Sequence, residues 1–123
     1  MIITKKYLLK NPNHIFVFGD NTIRRGKGGA AKFRDMLNTY GFITKKYPNM
    51  RDSSFYRPSE YLPIFQNELN KLKDTIEKNP DRIFLISRIG GGLANRYRIF
   101  EEIIRPGIEV LRRNNNVEFL YIC

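Results

Sequence analysis

Three short stretches carry residue types that could do chemistry. The first is FGDNTIRRGKGGAAKF, residues 18–33, with an acid and an amide at Asp20 and Asn21, then basic side chains and Gly26, Gly28 and Gly29 close together. The second is RIGGGLANR, residues 88–96, with Gly90, Gly91 and Gly92 consecutive. The third is FITKKYP, residues 42–48, which places Lys45 just after an apolar run. Glycine lets a backbone approach a ligand closely and take φ > 0. Successive N–H groups can then face one concavity and bind anionic oxygens. A helix N-terminus adds unpaired N–H groups and a dipole. Two such loops suit two linked phosphates. The spacing is neither GxxxxGK[ST] nor GxGxxG, so the standard nucleotide motifs do not apply. Each loop alone also reads as a tight strand-to-helix turn; the two together make a stronger case for a site.

Asp20 and Asn21 fit the end of a strand, where they would cap or turn the chain. As site residues, Asn21 would donate its amide to a sugar hydroxyl and Asp20 would accept from one. Lys45 either reaches the same rim or is a solvated surface lysine. His14 reads as an exposed turn residue with no nucleophile to pair with. The chain shows no Ser/His/Asp arrangement and no metal-ligand spacing, and its one cysteine, Cys123, cannot close an intrachain disulfide. No metal or cofactor is therefore expected.

The elements that must position these residues follow from apolar patterning. Residues 15–18, IFVF, are a continuous apolar run and read as a strand buried on both faces; residues 83–87, IFLIS, read as another buried strand. Residues 42–44 read as another strand, 117–122 as the last, and 2–9 as a short edge strand. Residues 28–39 are expected to form a helix ended by Gly41. Residues 59–78 form a helix with Leu62, Phe65, Leu69, Leu72 and Ile76 on one face. Residues 97–113 form a third, kinked at Pro106. Residues 45–58 are a long polar loop of the kind that serves as a lid or binding loop. The order β, β, α, β, α, β, α, β predicts one α/β domain over residues 1–123, three layers deep, with a mostly parallel mixed sheet. Ligands of such sheets sit outside the carboxyl ends of the strands. Both glycine-rich loops leave strands there.

The chain has 123 residues, 41% hydrophobic and 13% aromatic, enough for a core without disulfides. Its net charge is +10, from 22 Lys and Arg against 12 Asp and Glu. That excess favours polyanions or phosphorylated ligands. No stretch approaches the roughly 18 apolar residues of a membrane span, and no leader is recognisable at the N-terminus. A cytoplasmic, monomeric protein is expected.

These stretches, in this order, resemble the macrodomain superfamily, an ADP-ribose-binding α/β fold. The likeness covers about residues 15–122. It is greatest to the class that removes ADP-ribose from acidic side chains with a lysine and an aspartate, and to macro-like proteins of phages and bacteria. The resemblance implies that Asn21 contacts the distal ribose. It places Gly28, Gly29 and Ala30 on one phosphate loop and Gly90, Gly91, Gly92 and Leu93 on the other, with Asn95 just beyond. Tyr97, Phe100 and Tyr47 are the candidates for stacking on adenine. Lys45 matches the lysine whose amine attacks the opened ribose. The class has an aspartate where this chain has Ala94, so Asp20 is the carboxylate left for acid–base work. The implied ligand is ADP-ribose or a related nucleotide, free or on an ADP-ribosylated protein; a phage-encoded protein would act in the host cytoplasm. The alternative is a small nucleic-acid-binding protein that uses its scattered cations and interleaved aromatics.

Overall fold

The computed structural model describes residues 2–121. Met1, Ile122 and Cys123 lie outside the described residues, and with them the end of the expected last strand and the lone cysteine. Four strands form one sheet: β1 (His14–Asn21), β2 (Thr39–Lys45), β3 (Ile83–Ile86) and β4 (Val117–Phe119). Their order is β2-β1-β3-β4 and every pairing is parallel. The fold is α/β, and the sheet is all-parallel rather than mixed.

The pleat explains the unbroken apolar runs. Successive side chains of a strand point to opposite faces. Ile15 and Val17 of β1, with Phe84 and Ile86 of β3, join the larger core cluster. Phe16 and Phe18, with Leu85, join the smaller one on the other face. The larger cluster is covered by α2 (Pro58–Lys78), whose buried stripe is Tyr61, Phe65, Glu68, Leu72 and Ile76. Leu62, expected on that face, is half exposed. Tyr61 and Glu68 take the inner positions because they serve the edge strand. Tyr61 Oη donates to the Ile43 carbonyl at 2.6 Å, and Glu68 Oε1 accepts the Ile43 N–H at 2.7 Å. Edge-strand groups left bare would invite pairing with another chain.

Three expected elements differ. Residues 2–9 are not a strand: α1 (Lys5–Lys10) forms there, because Thr4 accepts the Tyr7 N–H at 3.1 Å as an N-cap. Leu8 of α1 is buried in the smaller cluster. Residues 28–39 form only a 3₁₀ turn, Gly29–Phe33, followed by irregular turns. Gly29 has φ +57°, outside helical geometry, and so short a helix is marginal without packing to support it. The amide of Asn38 instead donates to the carbonyls of Leu8 and His14 at 2.9 and 3.0 Å, tying α1 to β1. The last helical stretch is composite: a π turn (Phe100–Ile104), α3 (Arg105–Ile108) and a 3₁₀ turn (Glu109–Arg113). Pro106, which has no N–H to donate, sits just after the π turn. His14 opens β1 half-buried, with Nδ1 2.7 Å from Tyr7 Oη, rather than lying free in a turn. Among the described residues, no helix is long and apolar enough to cross a membrane.

Candidate functional site

The chain runs from β1 outward to β2, then crosses back to β3 on the other side of β1. The winding reverses between β1 and β3, the place where α/β sheets open a crevice at their carboxyl ends. A cavity of about 390 Å³ lies there, within the usual size range of small-molecule sites. The last residues of β1 and β2 form part of its wall, and both glycine-rich loops complete it.

Packing at the strand ends is tight around two glycines. A Cβ on Gly19 would fall 3.1 Å from Thr44 Oγ1 and 3.5 Å from the Gly90 nitrogen. Gly90 has φ +74°, and a Cβ there would collide with Ile104. Gly28 and Gly92, by contrast, have nothing within 4 Å of such an atom. Gly90 is demanded by its backbone and its packing, and Gly19 is tightly packed; Gly28 and Gly92 leave room that a ligand can use.

Asp20 is buried and fully engaged. Its Oδ2 accepts from Arg24 at 3.1 Å and from Arg34 at 2.9 Å; its Oδ1 accepts the Asn21 N–H at 2.8 Å and lies 2.7 Å from Arg34 Nη2. Asn21, also buried, turns its side chain onto its own loop: Nδ2 donates to the Arg25 carbonyl at 2.7 Å and Oδ1 accepts the Ile23 N–H at 3.2 Å. Lys45 is held differently. Its ammonium lies 4.7 Å from the Phe55 ring centre and 3.8 Å from Met50 Sδ, and it makes no ion pair among the described residues. Burial, and then the positive charge of Arg96, push its amine below the ordinary lysine value. Such a lysine has more neutral, nucleophilic amine at a given pH.

The cavity is electropositive. Arg25, Lys27, Lys45 and Arg88 line it, and its one carboxylate, Asp20, already carries two arginines. Lys27 pairs with Asp35 at 2.5 Å and Arg88 lies 3.7 Å from Glu101, which leaves Arg25 and Lys45 without ion pairs among the described residues.

Of the residues named from sequence, Asp20, Asn21, Gly28, Gly29, Ala30, Lys45, Gly90, Gly92 and Leu93 line this cavity; Gly91, Asn95 and Tyr97 do not. The Gly91 carbonyl accepts from Arg88 at 2.8 Å, closing the turn. Asn95 accepts the Phe100 N–H at 3.0 Å and donates to Glu101 at 2.9 Å, starting the last helical stretch. Tyr97 donates to Asp52, under the Arg57 guanidinium at 4.2 Å, and so ties the second glycine loop to the 46–57 loop. Phe100 is buried in the larger core, and Tyr47 is half exposed off the cavity wall. Ala94 lines the cavity, so the second loop offers no carboxylate at that position. Sequence reading missed Thr44 and Ser87, whose places at strand ends were the available signal. It also missed Arg34, which a helix over 28–39 would not have brought to Asp20. Among the described residues, no three His, Cys, Asp or Glu come together as a metal site.

No curated protein and no solved structure matches the chain. A family description does match, over residues 1–96, a span that contains every residue lining the cavity. The chain belongs to the family of unknown function DUF7831.

Proposed function

We propose that the protein binds ADP-ribose, or a related nucleotide with a ribose and a diphosphate, in the cavity between β1 and β3. The observation that carries this reading is convergence. Two glycine-rich loops far apart in sequence, with Asn21 and Lys45, meet in one electropositive cavity at the sheet's winding reversal. A diphosphate brings about two negative charges, and Arg25 and Lys45 supply two cations not already neutralised.

The chemistry favours holding over turning over. An uncharged Lys45 amine can attack the carbonyl carbon of an opened ribose. Completing hydrolysis of an ADP-ribosyl group from protein needs a group to move protons. Asp20 has both oxygens occupied, and the second loop presents Ala94. Loss of a positioned acid–base group typically costs 10²–10⁴-fold. Sequestration of a nucleotide is therefore the main activity in this reading, with hydrolysis a slow accompaniment.

Calorimetric titration with ADP-ribose at low and high salt tests it. Saturable one-to-one binding that persists at high salt is the expected result. Heat from single-stranded nucleic acid that collapses as salt rises, with none from ADP-ribose, would instead identify a nucleic-acid-binding surface.

A further inference from the structure

Arg34 is absent from the cavity wall, yet it holds two carbonyls of the first glycine-rich loop from behind. Its Nε donates to the Gly26 carbonyl at 3.0 Å and its Nη2 to the Arg25 carbonyl at 3.2 Å. The same guanidinium grips both oxygens of Asp20, at 2.9 and 2.7 Å, and lies 5.5 Å from the Phe18 ring centre. Its side chain is only 16% exposed and Asp20's only 2%. The loop is thus strapped to the end of β1 by a planar fork whose far end is anchored in the sheet. Only Arg has the geometry to do this; a lysine offers one point charge.

The strap has a consequence for the loop's donors. In a trans peptide the C=O and the following N–H point in opposite directions, and among the described residues no peptide bond is cis. The carbonyls of Arg25 and Gly26 are turned to Arg34, so the N–H groups of Gly26 and Lys27 are turned away from it. Neither N–H meets a protein acceptor among the described residues, and both residues line the cavity. Gly26 holds φ +91°, a conformation suited to glycine.

We propose that Arg34 is the positioning residue of this site, fixing the N–H groups of Gly26 and Lys27 as a donor pair for an anionic oxygen of a diphosphate. The ligand half of this inference rests on the nucleotide reading above; the strap does not. It also assigns Asp20 the part of anchor.

The test is nitrogen-15 relaxation and amide shifts on the full chain. Arg34→Lys should lower the order parameters of the Gly26 and Lys27 amides from about 0.85 to below about 0.6, while β1 and β3 stay rigid. In the native protein, ADP-ribose and inorganic pyrophosphate should both move these two amides, and Arg34→Lys should weaken both ligands at least about tenfold. Should Arg34→Lys fail to fold, Asp20→Asn loosens the other end of the fork and must free the same two amides. Unchanged order in the variant overturns the strap. No shift of the two amides with either probe overturns the donor pair. Shifts with pyrophosphate but no binding of ADP-ribose leave the inference standing and overturn the nucleotide reading.

Discussion

Asn21 and Lys45 are register partners at the ends of β1 and β2, one step beyond an irregularity between Asp20 and Asn21. A bulge re-aims the side chains that follow it. Here Asp20 is buried against its arginines, Asn21 turns onto its own loop, and Lys45 is left at the rim beside Phe55. Lys45, whose amine burial and Arg96 push below the ordinary lysine value, therefore stands opposite Asn21, which bonds its own loop.

Lys45 should be the reactive lysine of the chain. Incubation with ADP-ribose and cyanoborohydride should add one ADP-ribose-derived mass to Lys45, and Lys45→Ala should remove it. The rate should rise with pH through an apparent pKa below the ordinary lysine value, because burial and Arg96 disfavour the charged amine. Arg96→Ala should move that profile to higher pH. Equal labelling of many lysines, read by peptide mass spectrometry, would remove the case for an activated amine.

Two glycines should separate binding from folding. Gly28 has φ −74° and open space around it, so Gly28→Val should leave the melting temperature nearly unchanged and weaken ligand at least about tenfold. Gly90→Ala meets Ile104 at φ +74° and should cost about 1–3 kcal/mol in urea unfolding. A tight-binding Gly28→Val would place the ligand elsewhere.

Tyr97 should matter little for affinity. It lies outside the cavity wall and is engaged by Asp52 and Arg57. Tyr97→Phe should change the dissociation constant by less than about twofold, well under the tenfold that 1.4 kcal/mol produces. A larger loss would show that the hydroxyl, through its tie to Asp52, shapes the cavity.

The β2 edge should be sensitive to α2. Tyr61→Phe leaves the Ile43 carbonyl without its 2.6 Å donor and should cost about 1–3 kcal/mol. Burial pushes the Tyr61 phenol well above its ordinary range, so ionisation will not disturb this bond at any physiological pH. Glu68→Leu should act on the same residue, and the pair should be non-additive in a double-mutant cycle.

Acid should loosen the start of α2. The Lys46 ammonium, 2.8 Å away, and the Arg57 N–H hold the Glu60 carboxyl below its ordinary value. Its folded pKa is depressed, so its contribution is present above the unfolded value and lost as pH falls through the folded one. Glu60→Gln should flatten the acid limb of the stability curve below about pH 4.5. An unchanged limb would assign that limb to other carboxylates.

Much of this protein is written in local pattern. IFVF and IFLI read as strands buried on both faces, since every residue in them is apolar and a pleat turns alternate ones to opposite sides. Parallel strands joined by crossovers bring their carboxyl ends together, so the meeting of the two glycine loops with Lys45 was implied by element order alone. What the sequence could not decide was every competition between local propensity and a distant partner. Thr4 capped a helix where a strand was expected. The 28–39 segment gave up its helix, with Gly29 at φ +57° and Asn38 bonded to α1 and β1. The same turn carried Arg34 back to Asp20, fourteen residues earlier in the chain. That contact made a candidate acid–base residue into an anchor. Its energy depends on burial and two-point geometry, which exist only once the sheet has formed.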